Sequence, residues 1–309
     1  MSRIKIIVNP QAGHGRAAQL EPAIREHMHA LNADAEFVRT TRPGEAIDLA
    51  LRAKEDGFDT VVAVGGDGTS HEVMNGLLAY ADGRVAGTLG CIPAGSGNDF
   101  AVMSGVPEDL ARACEALVQE PESLVDVGEV SIDGRIRRYF DNAVGIGFDG
   151  LVVRETRRHP RRRGLALYIP AVLRTIAVSF QAPQLTISLD DDTIRGRALL
   201  AVAANGPREG GAFLVAPGAR NDDGWLDLVL ATEMTRLQML GMVPRFMRGT
   251  HVGDERIVIR RARRITIASD EPLYLHVDGE ILCDHAHEVS LRILPGRLRL
   301  RAAAVNVSA

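Results

Sequence analysis

Residues 61–68, VVAVGGDG, join an apolar run to three glycines set around one aspartate, and Thr69 then leads into the helical run Ser70–Tyr80. A strand that breaks into glycines and turns into a helix aims several backbone N–H groups and a helix N-terminus at one small space, which suits a phosphate. Asp67 adds a constraint. A carboxylate beside phosphates is repelled unless a cation lies between them, so the pattern points to a magnesium nucleotide, Mg-ATP, rather than a bare phosphate.

A second glycine-rich turn, Ile92-Pro-Ala-Gly-Ser-Gly-Asn-Asp99, also follows an apolar run. Two such loops at strand ends of one parallel sheet converge at its C-terminal edge, where Gly65, Gly66, Gly68 and Thr69 would hold phosphates and Gly95, Ser96 and Asn98 would form the other wall. Taken singly, each loop also reads as a tight turn. A third, Asn9 to Arg16, contains Gly13, Gly15 and Ala18 in a relaxed dinucleotide spacing, with Glu36 at the distance of a ribose-binding acid. The residues between strand and first glycine weigh against that NAD reading, because a dinucleotide fingerprint turns almost directly off its strand.

Further acids lie late in the chain. Asp278 sits in VDGE, where Asp-Gly also reads as a hairpin turn, and NDDG with Asp222, Asp223 and Asp227 has the oxygen density a hard cation wants without the length of an EF-hand loop. Cys283, His285 and His287 alternate along CDHAH but have no second cluster, and His71-Glu72 lacks the second histidine of a zinc-protease helix, since Asn75 stands in its place. There is no Walker loop.

The elements that must position these residues fall into two patterns. Strands at Ile4–Val8, Ala35–Arg39, Thr60–Val64 and Gly87–Ile92 alternate with helices at Arg16–Leu31, Gly44–Asp56, Ser70–Ala79 and Asp109–Gln119, which predicts a parallel sheet covered by helices. From Asp126 the rhythm becomes paired strands: VDVGEVSI, the Asp133-Gly134 turn, RIRRYFDNAV, then LTISL and TIRGRALLAVAAN around Asp190–Asp192. Trp225–Ala231, Arg256–Arg260, Arg264–Ala268, Leu273–Val277 and Val289–Leu294 add further strands. The boundary falls near Leu124.

The segments Asn9–Gly15, GGDGTSHEVMNGL, IPAGSGNDFA, NAVGIGFDG from Asn142, NDDGWLDL and HVDGE from His276 together resemble the diacylglycerol and sphingosine lipid kinases, including bacterial members. The resemblance runs in order along almost the whole chain. GGDGT alone is shared with NAD kinases and phosphofructokinase-like enzymes, and the GSGNDFA and GIGFDG wording is closer to diacylglycerol kinases than to sphingosine or ceramide kinases. It implies an α/β nucleotide-binding domain over 1–125, with 296–309 packing back on it, and an antiparallel β-sandwich over 126–295, with catalysis in the cleft against that sandwich. It also implies Asp278 as general base for a lipid hydroxyl and Glu280 beside the nucleotide, with Asn9 and the two glycine loops. Asp67, Asp99 and Asp126 would hold magnesium, and Asp223 with the carbonyls of Arg220 and Trp225 a structural magnesium. Phosphoryl transfer asks for orientation and charge neutralisation more than for a strong base, so an ordinary aspartate suffices.

At 309 residues, two domains are expected, and a net charge of −4 argues against a nucleic-acid binder. Nearly all positive charge is arginine, Lys5 and Lys54 being the sole lysines. Three scattered cysteines suggest no disulfide framework and a reducing cytosol, and neither a signal peptide nor a spanning segment is read. The expected partner is a lipid at a membrane surface, reached by a cytoplasmic, peripherally bound enzyme, with a homodimer left open. Arg154, Arg157, Arg158, Arg161, Arg162 and Arg163 precede the apolar run Leu165–Val178, which together suit anionic headgroups as well as a solvated face before a core helix. Acceptors left open are diacylglycerol, a sphingoid base, ceramide, another alcohol or NAD, beside a catalytically idle binder.

Overall fold

The computed structural model describes residues 2–81, 83–159 and 164–302. The chain divides into two compact units, one comprising residues up to Val125 together with the chain from Gly296 onward, the other Asp126–Pro295.

In the first unit β1 (Arg3–Val8), α1 (Arg16–Ala30), β2 (Asp34–Arg39), α2 (Glu45–Glu55), β3 (Thr60–Gly65), α3 (Asp67–Tyr80) and β4 (Thr88–Pro93) follow the expected alternation. Then come α4 (Asp99–Met103) and α5 (Leu110–Gln119), and all strand pairs are parallel: β2 on β1, β1 on β3, β3 on β4. A fifth strand comes from the far end of the chain, Arg299–Arg301 pairing parallel with Thr88–Gly90. β3 is buried along its whole length because both faces are covered, which is why it reads as an unbroken apolar run. On one face α1 and α5 press Ile24, Met28, Cys114 and Leu117 onto Ile4, Ile6, Val62 and Val64. On α3, Gly76 allows close approach of α2, since a Cβ there would lie 2.3 Å from the Ile47 carbonyl oxygen.

The second unit is antiparallel. It begins within β5 (Glu122–Ile132) and continues through β6 (Ile136–Phe140), β7 (Ala143–Gly147), α6 (Phe148–Thr156), α7 (Leu165–Val178), β8 (Gln184–Leu189) and β9 (Asp192–Ala204). β10 (Leu226–Thr232), α8 (Arg236–Arg248), β11 (Ile257–Ala262), β12 (Arg264–Val277) and β13 (Glu280–Arg301) complete it. The order β11-β10-β9-β7-β12 is antiparallel throughout. The period of two serves two cores: Leu226, Leu228 and Leu230 of β10 join Ala201 and Ala203 of β9 among the strands, while Val229, Ala231, Val202 and Ala204 face Phe148, Ile176, Met239 and Phe246 of the helices.

Several elements depart from the sequence reading. RIRRYFDNAV is two strands, parted at Asp141-Asn142. Arg264–Ala268 and Leu273–Val277 are one strand with register shifts, and β13 runs on through Pro295-Gly296, where Gly296 takes φ 56°. The helices α6 and α8 were not expected, although the capping box of α8, Thr235 with Gln238, is legible as T-x-x-Q. Of the arginine run, Arg161, Arg162 and Arg163 lie outside the described residues, as do positions 303–309. No helix among the described residues is long and apolar enough to cross a membrane.

Asp109 caps α5 by accepting the Arg112 N–H at 3.0 Å. Asp109→Ala is expected to lower unfolding free energy by about 1 kcal/mol in urea titration, because that donor loses its acceptor.

Candidate active site

β3 and β4 are parallel neighbours, so the loops after them emerge side by side. The Ala94 N–H donates to the Gly65 carbonyl at 2.7 Å, and the two glycine loops then touch backbone to backbone. A Cβ at Gly95 would lie 2.5 Å from Gly66 Cα and 2.9 Å from Asn98 Oδ1, and one at Gly65 would lie 2.3 Å from Thr69 Oγ1. These residues are glycine because the approach leaves no room for a side chain.

Asp67 holds the pair together. Its Oδ2 accepts the Asn98 N–H at 2.8 Å and its Oδ1 the Phe100 N–H at 3.2 Å, which also meets the first turn of α4. A carboxylate oxygen accepts more than one bond, so these amides orient Asp67 without exhausting it. Asn98, at φ 56°, closes its own loop through Gly95 N–H to Oδ1 at 3.0 Å and Nδ2–H to the Gly95 carbonyl at 3.1 Å. The first loop joins them: Asn9 donates from Nδ2 to Thr69 Oγ1 at 3.1 Å, and a Cβ on Gly13 would strike the Ala94 carbonyl oxygen. Asn9, Gly65, Gly66, Asp67, Gly68, Thr69, Gly95 and Asn98 are thus gathered at one sheet edge, with Ser96 exposed at the loop tip and Asp99 buried as the first residue of α4.

In the second unit Asp278 and Gly279, at φ 47° and 78°, form the two-residue turn between β12 and β13. Asp278 is both a turn residue and an anchor. Its Oδ1 accepts the N–H groups of Asn142 and Ala143 at 3.1 and 2.9 Å, and its Oδ2 that of Asp141 at 3.0 Å, while its own N–H donates to the Ala143 carbonyl. Three amides turned toward one carboxylate explain why the strand expected over 135–144 breaks at Asp141-Asn142. Glu280 follows as the first residue of β13, half-buried.

A group that the sequence did not disclose lies beside that turn. The Gly279 N–H donates to His276 Nδ1 at 3.1 Å, so the imidazole proton sits on Nε2 and is donated to Asp149 Oδ2 at 2.9 Å. Glu209 Oε1 stands 3.9 Å from the same Nε2. The three side chains bring ligand atoms within 4.8 Å of one another, but an imidazole that donates from Nε2 has no lone pair there for a cation. Burial raises the Asp149 carboxyl, yet the His276 imidazole and the Glu209 carboxyl outweigh it and hold Asp149 below the usual carboxylate range. GFDG and HVDGE were both legible; their pairing brings together helix α6, strand β12 and, at Glu209, the segment between β9 and β10, which are distant in sequence.

Asp126, expected with Asp67 and Asp99, meets the NDDG loop within the second unit. Its Oδ2 accepts the Gly224 N–H at 2.6 Å and its own N–H donates to the Asn221 carbonyl. In that loop Asp222 takes a bidentate bond from Arg220, which holds its carboxyl below the usual range, and Asp223 accepts the Trp225 N–H and the Arg261 guanidinium. Burial raises Asp227 against the pull of Arg261. Each Asp223 oxygen takes one bond and keeps a further lone pair, so the loop expected to hold a structural magnesium through Asp223 and the carbonyls of Arg220 and Trp225 keeps oxygen donors for it beside the Arg261 guanidinium. Cys283, His285 and His287 gather no further ligand among the described residues, and His287 Nδ1 pairs with the Ser269 carbonyl.

A model of the diacylglycerol kinase catalytic domain matches residues 3–130, and one of the YegS C-terminal NAD kinase beta sandwich-like domain matches residues 142–302. The chain belongs to the diacylglycerol kinase family of lipid kinases. It is 29% identical over 294 residues to a diacylglycerol kinase of Bacillus subtilis, covering 91% of this chain and 90% of that one. It is 27% identical over 291 residues to one of Mycobacterium tuberculosis, covering 94% and 92%. The crystal structure of a candidate diacylglycerol kinase from Bacillus anthracis strain Sterne superposes with a TM-score of 0.79 at 25% identity, over 98% of each chain. As a member of this family the protein is a kinase that phosphorylates an alcohol, with an α/β domain and a β-sandwich-like domain.

Gly95→Ala is expected to force the two loops apart, lowering unfolding free energy by about 1–3 kcal/mol and weakening ATP-analogue binding at least about tenfold, read by urea titration and calorimetry. Asp149→Asn tests the second cluster by pH. A carboxyl held below its ordinary value, about 3.9, stabilises the fold above that pH and loses its contribution as pH falls through the native value, so the variant's stability is expected to fall less steeply below about pH 4.

Proposed function

We propose that this lipid kinase transfers the γ-phosphoryl group of ATP, with Mg²⁺, to the hydroxyl of a neutral membrane lipid, diacylglycerol being the acceptor of choice. The observation that carries the nucleotide half is the pair of glycine loops pinned by Asp67. Gly65, Gly66, Gly68 and Thr69 hold the phosphates where the loops leave no room for larger side chains, the N-terminus of α3 adds its dipole, and Asn9, Gly95, Ser96 and Asn98 shape the walls. Asp67 and Asp99, each the first residue of a helix, supply hard oxygen donors for Mg²⁺. When bound, Mg²⁺ neutralises charge on the phosphates.

Asp278 orients the acceptor hydroxyl and takes its proton as the bond to phosphorus forms and the bond to the leaving diphosphate oxygen breaks. Three amide donors fix the direction of its carboxylate, which suits a group whose task is aim rather than basicity. Glu280, two residues on, is the further acid that this reading assigns to the nucleotide. Relatives named diacylglycerol kinase support diacylglycerol as the acceptor in this reading, in which the enzyme works from the cytoplasmic side on a bilayer surface.

The test is transfer from γ-labelled ATP to a panel of lipids in mixed micelles with Mg²⁺, with NAD and soluble alcohols as controls. Wild type is expected to label diacylglycerol. Asp278→Asn is expected to lower kcat by about 10²–10⁴-fold while ATP-analogue affinity stays within about threefold. Label on NAD alone, or none from a folded protein that binds ATP, overturns the assignment.

A further inference from the structure

Helix α7 lacks the polar outer face of an ordinary surface helix. Its outward positions include Ala166, Pro170, Leu173, Ala177 and Val178, while Ala171, Val172, Thr175 and Ile176 face the core. Apolar residues all round suit either burial or a bilayer. Helix α8 repeats the pattern with Leu237 and Leu240 outward and Met239, Met242 and Phe246 inward. The two helices meet at one end, where Arg236 Nε donates to the Ile176 carbonyl at 3.0 Å and its guanidinium lies over the Phe180 ring. Leu237 at 81% and Val178 at 63% are the most exposed large apolar side chains among the described residues, and both lie at this junction.

The charge on this face has one sign. Neither helix carries an aspartate or glutamate, and their charged residues are Arg174, Arg236, Arg245 and Arg248, in a chain of net charge −4. Arg174 is paired with Glu155 and Arg245 with Asp254. Glu233, just before α8, is paired with Arg197, which leaves Arg236 and Arg248 as the cations beside the exposed leucines.

We propose that the α7–α8 face docks on an anionic membrane, with Leu173, Val178, Leu237 and Leu240 entering the acyl boundary and Arg236 and Arg248 meeting headgroup phosphates. A second copy of the chain is the poorer occupant. A two-fold contact would set these arginines against their own copies with no acid on either helix to pair them. The membrane face presupposes the lipid acceptor proposed above and assigns the surface that reaches it.

Co-sedimentation tests it, using vesicles of phosphatidylcholine alone and vesicles containing phosphatidylglycerol. Wild type is expected to bind the anionic vesicles, less so at high salt. Leu173→Asp/Leu237→Asp and, separately, Arg248→Glu are expected to weaken that binding at least about tenfold with melting temperature and ATP-analogue affinity unchanged. This pattern supports the face even where no lipid is phosphorylated, which separates it from the choice of acceptor. Equal binding by wild type and variants overturns it, as does a wild-type dimer that the double variant splits without changing vesicle binding.

Discussion

Three backbone amides at the break between β6 and β7 must find an acceptor once they are buried, and the Asp278 carboxylate meets all three. Much of the second unit's geometry follows from that requirement. The chain leaves β6 at Asp141 because its N–H groups point to a side chain rather than to a neighbouring strand. Asp278 adopts a left-handed conformation because the turn needs it, and Gly279 beside it turns its own N–H to His276 Nδ1. That bond sets the tautomer of His276, which in turn donates to Asp149 at the start of α6. One carboxylate therefore ties a hairpin turn, a strand break and a buried polar cluster together.

The first unit solves a related problem with Asp67. Parallel strands end in loops whose amides have no ladder partners, and a nucleotide site needs some of those amides left pointing outward. Asp67 takes two of them, Asn98 and Phe100, and by doing so fixes the second loop against the first. The remaining backbone stays close-packed only because Gly65, Gly66 and Gly95 have no side chains. Rigidity here matters for phosphoryl transfer, in which positioned donors and charge neutralisation do most of the catalysis.

Arginine shapes the second unit as strongly. With almost no lysine in the chain, guanidinium groups meet Asp222, Asp223 and Asp254. On α7 and α8 the same residue type is left beside exposed leucines without acids on the helices. The arginines paired with Asp222, Asp223 and Asp254 contrast with Arg236 and Arg248, which the proposed membrane face assigns to headgroup phosphates.

The alternation of strand and helix through Gln119, the change to paired strands near Leu124 and the glycine loops were all legible in the sequence. They are local: a period of two or 3.6, a turn dipeptide, or glycines after an apolar run is set by neighbours in the chain. Helix α8 was not expected, although its capping box, Thr235 with Gln238, marks its start in the sequence. What only the tertiary structure decided are the long-range pairings. Asp278 with the 141–143 amides, His276 with Asp149 and Glu209, and Asp126 with Gly224 join residues far apart in sequence. Whether a given carboxylate meets an amide, a guanidinium or a cation depends on which strand lies opposite. Sequence determined where polar groups are needed; packing determined which of them meet, because satisfaction of buried polar groups is settled in space rather than along the chain.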